Sequence, residues 1–370
     1  MLGDGHESAV AVEALKCLVW HDEGRAQLLQ ANAISLLARA LNSTEGRKHA
    51  AYTLACVAEK SPSHRNEIVS HSTVIPTLVN MLGNTAELRA ATEALRWLAQ
   101  EDGGRRQIAN ANANATPILV SVLKTSKAQV NAACTLVCLA NGDQHVRAEI
   151  VRHDAIPTLI LMLRGTSSGC AASIEALQVL SGNSDGRSQI MQANELPLFV
   201  HALGQGPTRK YAAYLLARLA NHDHGQRDQI VALDAVPALT LILNDANGPH
   251  RSALAAIQSL IYNADAQTEL LRANLIPQLV NLLDSGTDAA EGAAKVLAVL
   301  ATNDNARAAM IRYNSAPKLG AMLGGEYHEA ASAALLRFSK HMSPYSFGPH
   351  GALIVSPGEE KYGSEVVWGR

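Results

Sequence analysis

The sequence predicts an all-α chain, a solenoid of stacked three-helix units, and three observations carry that prediction. Prolines that open apolar runs fall at Pro76, Pro117, Pro157, Pro197, Pro237, Pro277 and Pro317, first 41 and then 40 residues apart, and Ser35 holds the same place 41 residues before Pro76. Arginines keep the same clock at Arg25, Arg65, Arg105, Arg147, Arg187, Arg227 and Arg307, with Gln267 filling the one gap. Hydrophobic residues make up 48% of the 370-residue chain but aromatics only 4%, so Ala and Leu must do the packing, as in close-stacked helices without one bulky core. A fixed period of this size marks units that cannot bury their apolar faces alone and do so by stacking.

Residues 8–20 read as a helix with Val12, Leu15 and Val19 on one face. It corresponds to the last helix of a unit whose first two are missing, so 1–21 is a partial repeat. Its apolar flank is expected to be covered by more chain or by a partner. From residue 22 to 341 the full unit runs eight times, at about 22–61, 62–102, 103–142, 143–182, 183–222, 223–263, 264–302 and 303–341. The first helix of each unit is short, with Asp22, Ser61, Asp102, Asp143, Ser184, Asp223 or Asp304 near its start to accept from free backbone N–H groups. A turn follows at Asn32, Thr73, Asn114, Asp154, Asn194, Asp234, Asn274 and Asn314; Asn and Asp tolerate a left-handed backbone, so the helix stops and re-aims there. The second helix is predicted to start at the proline, whose missing N–H would have no partner in any case. Its apolar face is Ile75, Leu78, Val79 and Leu82 in one copy and Ile276, Leu279, Val280 and Leu283 in another. The third helix is the longest, as over 89–100 or 209–221, and alanine pairs such as Ala50-Ala51 and Ala212-Ala213 let neighbours come close. Residues 342–370 are rich in Pro and Gly without a period and read as a mobile tail, with Ala352 to Ser356 a short apolar anchor.

Several function classes are disfavoured. A net charge of −2 lacks the basic footprint of nucleic-acid or anionic-membrane binding. No stretch reaches 18 uninterrupted apolar residues, so no membrane span is expected. The residues after Met1 form no signal region. The odd set Cys17, Cys56, Cys134, Cys138 and Cys170 reads as buried reduced thiols of a cytoplasmic protein, with the nucleus as second compartment. Cys134 and Cys138 share a helix face but have no His or Cys partner at zinc spacing, and His222-Asp223-His224 has no third ligand in reach, so neither a metal nor a cofactor is expected. Phosphate-loop, His-Glu-x-x-His and Gly-x-Ser-x-Gly motifs do not occur, and no catalytic residues are assigned. The recurrent Arg fits a structural hydrogen bond repeated in every unit.

The copy from Arg147 to Leu163, Arg-Ala-Glu-Ile-Val-Arg-His-Asp-Ala-Ile-Pro-Thr-Leu-Ile-Leu-Met-Leu, resembles the armadillo repeat of β-catenin, importin-α and vacuolar armadillo proteins, and the resemblance covers residues 8–341. It implies a right-handed superhelix whose third helices line a concave groove. Members of the import-receptor and catenin kind carry a groove asparagine on each third helix and a tryptophan one turn earlier. The matching asparagine positions are Cys17, Cys56, Trp97, Cys138, Val179, Arg218, Ser259, Val299 and Arg337, and the tryptophan positions include Tyr52, Glu93, Cys134, Glu175 and Tyr214. None keeps the family residue. Groove candidates on this basis are Tyr52, Cys56, Glu93, Trp97 and Cys138, and farther along Tyr214 and Arg218 with Lys210 and Tyr211 beside them.

The expected function is therefore a non-catalytic scaffold that binds a protein or peptide partner on its third-helix surface. A substrate-recruiting segment of a larger ubiquitin ligase is the first alternative. A nuclear-import adaptor like importin-α is the second, disfavoured by the missing asparagine and tryptophan ladders.

Overall fold

The structure is a computed structural model, and it describes residues 14–15, 17–19, 21–44, 46–111, 115–125, 128–340, 345–347 and 353–355. The chain divides into two compact units, Met1–Glu195 and Leu196–Arg370. In the first, residues 14–15 and 17–19 are helical ahead of α1 (Asp22–Gln30), α2 (Ala33–Ala40) and α3 (Arg47–Lys60). The next sets are α4 (Pro62–Ser70), α5 (Val74–Met81) and α6 (Leu88–Leu98), then α7 (Asp102–Ala109), α8 (Ala115–Leu123) and α9 (Gln129–Ala140). The unit ends with α10 (Gln144–Arg152), α11 (Ala155–Met162), α12 (Ser167–Leu180) and α13 (Ser184–Gln192). The second unit holds α14 (Leu196–Ala202), α15 (Arg209–His222), α16 (His224–Ala232), α17 (Ala235–Asn244), α18 (His250–Leu260) and α19 (Ala264–Arg272). It continues with α20 (Ile276–Leu282), α21 (Asp288–Leu300), α22 (Asp304–Arg312), α23 (Ser315–Met322) and α24 (His328–Lys340). The sequence reads 22–341 as one uninterrupted run, and the division falls within its fifth repeat, between α13 and α14.

Helices recur in threes, and within each unit the third helices pack in order: α3, α6, α9 and α12 in the first, α15, α18, α21 and α24 in the second. Alanine pairs sit at those contacts, and Ala50, Ala51, Ala132, Ala133, Ala212, Ala213, Ala293 and Ala294 are fully buried. The expected second-helix faces are also inside: Ile75, Leu78 and Val79 are fully buried, and Ile276, Leu279 and Val280 nearly so.

The re-aiming turn is visible in the backbone. Among the described residues, every non-glycine with positive φ is at the predicted position: Asn32, Asp154, Asn194, Asp234, Asn274 and Asn314, with φ of 52° to 58°. Asn114 lies outside the described residues. Thr73 departs, with φ −87° and ψ −19°, because a β-branched side chain is strained in the left-handed region; His71 turns extended instead, at φ −79° and ψ 98°.

Two boundary expectations are corrected. Second helices begin one or two residues ahead of the proline, at Val74 before Pro76, Ala155 before Pro157 and Leu196 before Pro197. The proline stays within the first turn, where N–H groups still lack an intrahelical acceptor, so its missing donor costs nothing there. Capping is also shared differently. Asp143 accepts from the amides of His145 and Val146 and Asp223 from that of Gln226, as expected. Asn183 and Asn303, one residue earlier than predicted, and Asn263, in the unit for which no cap was read, cap their helices by accepting from Gly186, Ala306 and Ala266 at 3.0–3.2 Å. Asp22, Asp102 and Asp304 lie inside the helix and pair with Arg25, Arg105 and Arg307.

Each of those recurrent arginines does one further thing. The guanidinium reaches back to a carbonyl at the end of the preceding third helix: Arg25 to Val19, Arg65 to Ala58, Arg105 to Ala99 and Gln100, Arg147 to Ala140, Arg187 to Ser181, Arg227 to Ala220 and Arg307 to Ala301, at 2.8–3.2 Å. In the gap of the series, Gln267 Nε2 donates to Ile261 at 2.8 Å. The junction is tight: a Cβ on Gly104, the residue before Arg105, would stand 2.0 Å from the carbonyl oxygen of Leu98, and on Gly186 2.4 Å from that of Leu180.

The expected tail is not wholly irregular. Tyr345–Phe347 (β1) and Leu353–Val355 (β2) pair antiparallel, Tyr345 opposite Val355 and Phe347 opposite Leu353. Strands of three residues are too short to announce themselves by alternation. The rest of 341–370 lies outside the described residues.

Two mutations test this frame. Arg147→Met should cost about 1–3 kcal/mol by orphaning the Ala140 carbonyl, and Arg147→Gln, which copies Gln267, should recover much of the loss in urea unfolding. Gly104→Ala should cost about 1–3 kcal/mol through the backbone clash, whereas Gly206→Ala, with open space around the new methyl, should stay within about 1 kcal/mol of wild type. Equal midpoints for the two alanine variants would contradict the close approach.

Candidate functional site

Stacking third helices on each other buries two flanks of each helix and leaves a third facing away. On that face the first unit carries Tyr52 and Cys56 on α3, Glu93 and Trp97 on α6, Cys134 and Cys138 on α9, and Glu175 and Val179 on α12, all half-buried. The i, i+4 spacing within each helix and the 41-residue step between helices make two parallel rows. One row is Tyr52, Glu93, Cys134 and Glu175. The other, Cys56, Trp97, Cys138 and Val179, is apolar.

Charge collects around these rows. The Tyr52 phenol is raised above its ordinary pKa by burial, with Arg89 opposing and Glu93 adding, so Tyr52 sits within electrostatic reach of both charges on the next third helix. Burial pushes the Cys138 thiol up to about 11, reinforced by Cys134 and Glu175 and opposed by Arg105 and Arg96. Cys134 is raised mainly by burial too, with Arg96 opposing and Glu175 adding. Arg96 lies over the Trp97 ring, 4.9 Å from its centroid, and donates to Asn131 Oδ1 at 3.3 Å, tying α6 to α9. Trp97 is thus partly open and stacked by its own neighbour, a middle course between a free anchor and a core residue.

The expectation of buried thiols needs correcting. Only Cys170 is buried; Cys56, Cys134 and Cys138 are half-buried and Cys17 is exposed. The reason is position, since three of them fall on the uncovered third-helix face. Arg89, Arg96 and Glu175 are contributors not among the groove candidates. Their spacing from Trp97 and Cys134 was the available signal, but the sequence does not say which flank of a helix the next one covers.

Tyr214 and Arg218 lie on α15 in the second unit and form a separate group. Tyr214 is half-buried, Arg218 is exposed, and Lys210 stands 5.5 Å from the centre of the Tyr211 ring. Farther along, Arg251 pairs with Asp288 and Lys295 with Glu291, both at 2.6 Å.

A concavity of about 410 Å³ opens elsewhere in the first unit, lined by Asp102, Arg105, Arg106 and Ala109 of α7, Leu139 of α9, and Asn141, Asp143 and Val146. It contains none of the groove candidates. Arg105 and Arg147 are 42 residues apart where flanking spacings are 40, so two extra residues separate these first helices along the chain. Among the described residues no group of three or more His, Cys, Asp or Glu is placed to hold a metal ion, and no helix is long and apolar enough to cross a membrane.

Comparison with known proteins bears on the fold. No family model matches the chain, and no curated protein matches it. A solved structure of an engineered protein is similar at a TM-score of 0.73 and 23% identity, over 91% of this chain and 86% of that one. That likeness bears on the fold alone, and the chain's own helices, recurring in threes, give the class as an all-α array of stacked helices.

The thiol environment gives a direct test. With its pKa near 11, Cys138 should be only about 0.1% thiolate at pH 8, against tens of per cent for an ordinary thiol of pKa about 8.5. Iodoacetamide labelling followed by peptide mass spectrometry should therefore be at least tenfold slower at Cys138 in folded protein than in urea, and should rise steeply above pH 10. Equal rates folded and unfolded at pH 8 would show the thiol to be open.

Proposed function

We propose that this chain is a non-catalytic scaffold of armadillo type that binds a protein or peptide partner on the uncovered face of its third helices. The observation that carries this reading is the apolar row Cys56, Trp97, Cys138 and Val179, half-buried on four successive helices and bordered by Tyr52, Arg89, Glu93, Arg96 and Glu175. An aromatic anchor within a strip of modest polarity, ringed by charge, is the composition of a protein-binding centre. The right-handed winding that the armadillo resemblance implies is part of the same proposal for each unit. So is a separate contact on α15, where Lys210, Tyr214 and Arg218 suit an acidic or aromatic segment.

The missing asparagine ladder shapes the mode of binding. Without a repeated side-chain amide to bond an extended backbone, recognition falls to side chains, and so to a partner with its own apolar anchors. The five cysteines, none of them in a disulfide, suit a reducing compartment, cytoplasm or nucleus.

A photo-crosslinking residue at position 52 of the full chain would identify the partner. Once it is in hand, Trp97→Ala should weaken binding by about tenfold or more, the cost of roughly 1.4–2 kcal/mol expected for a central aromatic anchor. The thermal melt should shift little, because Trp97 is only half-buried. Unchanged affinity in both Trp97→Ala and Tyr52→Ala would remove the first-unit face from the proposal.

A further inference from the structure

Two residues after the arginine position of each first helix stands a Gln or Glu in every set but the last, where Ala309 takes its place. Gln107 shows what this position can do. Its Nε2 donates at 3.0 Å to the carbonyl of Val69, 38 residues earlier in the last turn of the preceding first helix, α4. In the set that carries Glu269 the counterpart of Val69 is Val231, whose carbonyl already accepts from the amide of Asp234 at 3.1 Å. The position is closed to water: Gln107 Oε1, Gln189 Oε1 and Glu269 Oε2 are all buried without a hydrogen-bond partner among the described residues. A neutral amide tolerates that at modest cost, whereas a carboxylate does so only at a higher one.

Charge along the chain is arranged around this position. Asn32 and Asn114, at the left-handed turns, are followed 35 residues later by Glu67 and Glu149, and Asp154 by Gln189, so at most one member of each pair is charged. Asp234 is the one turn acid followed by a second acid, Glu269. Asp234 stands at the start of α17, where its carboxylate makes no capping bond, and α17 packs against α19, which carries Glu269. Burial raises the Glu269 carboxyl above the ordinary carboxylate range, Asp234 and Asp265 add to the rise, and Arg272 opposes it. Asp228 of α16 is engaged instead by Asn263 Nδ2 at 2.7 Å.

We propose that Asp234 and Glu269 make the junction between the set α16–α18 and the set α19–α21 a pH-responsive joint, loosened by their repulsion at neutral pH and closed by acid. Once protonated, Glu269 no longer repels Asp234, and its O–H can donate to the Val231 carbonyl as Gln107 donates to Val69; a carbonyl has lone pairs for two donors. A carboxyl that holds its proton more tightly in the folded chain than in the unfolded one contributes stability at low pH and loses it as pH climbs through the folded value. In an array where each set touches only its neighbours, that loss falls on this junction.

The test uses the full chain as Glu269→Gln, Asp234→Asn and the double variant, with Glu67→Gln, opposite the uncharged Asn32, as the control. Amide hydrogen exchange is compared with wild type at the same pH. Glu269→Gln should protect α17 and α19 about two- to fivefold at pH 7.5, and the gain should vanish towards pH 4.5. On the Asp234→Asn background the same substitution should gain less, because the repulsion is already gone. Glu67→Gln should bring no such gain to α2 and α4. No protection at pH 7.5, or protection that persists unchanged at pH 4.5, would overturn the joint. So would a gain undiminished by Asp234→Asn, or an equal gain from Glu67→Gln.

Discussion

The frame depends on one contact, the hydrogen bond from the first-helix arginine to the last carbonyls of the preceding third helix. A helix leaves four carbonyls at its C-terminus without intrahelical donors, and a repeat array has such an end inside every unit. Here each end is met by a guanidinium placed five to seven residues further on. The positive charge also lies at the negative end of the helix dipole, which strengthens the bond over a neutral one. Because the donor sits on the next helix, the bond fixes the angle between the two helices as well as satisfying the carbonyl. Gln267 shows which part is essential. It keeps the donor and the reach to Ile261 but not the charge, and the geometry is preserved.

That junction explains the glycine that precedes the arginine in three of the units. With Gly24, Gly104 and Gly186 the first helix presses its backbone against the carbonyl of Leu18, Leu98 or Leu180, where a side chain would meet an oxygen at 2.0–2.4 Å. Ala266 and Ala306 stand there in two further units, and His64, Val146 and Gln226 in the other three. The left-handed Asn or Asp completes the unit by reversing the chain over a single residue, and neither device uses the outward flank of the third helix. Stability and surface chemistry are thereby separated.

This separation decides what could be read from the sequence. Arg, Pro and Asn/Asp serve backbone geometry, recur with it, and announce the three-helix unit and its turn positions directly. The Asn183 and Asn303 caps were hidden because Ser184 and Asp304 follow them directly and compete as capping candidates. Thr73 was hidden because its unit solves the same turn with His71. The groove candidates lie on third helices, as the period places them, but their exposure was not legible: whether Cys138 is core or surface depends on which flank α12 covers, a tertiary fact. The hairpin escaped because three-residue strands fall below the length at which alternation is a signal, and the division at Glu195 leaves no mark in a period that runs through it unchanged.

The outward rows differ from the frame in one telling way. At the position of Cys56 the later sets carry Trp97, Cys138 and Val179 in the first unit, and Arg218, Ser259 and Val299 in the second. A surface free of structural duty drifts toward solvated polar residues unless something else selects it, since exposed Trp, Cys and Val gain nothing from water. In the second unit the same position is mixed: Arg218 is exposed, Val299 half-buried, and Ser259 buried with its hydroxyl on the Ala255 carbonyl. In the first it is apolar throughout and bordered by Arg89, Glu93, Arg96 and Glu175, whose charges keep it soluble while it stands open. Both rows stand on the same frame, so the difference in polarity between them is not set by the repeat itself.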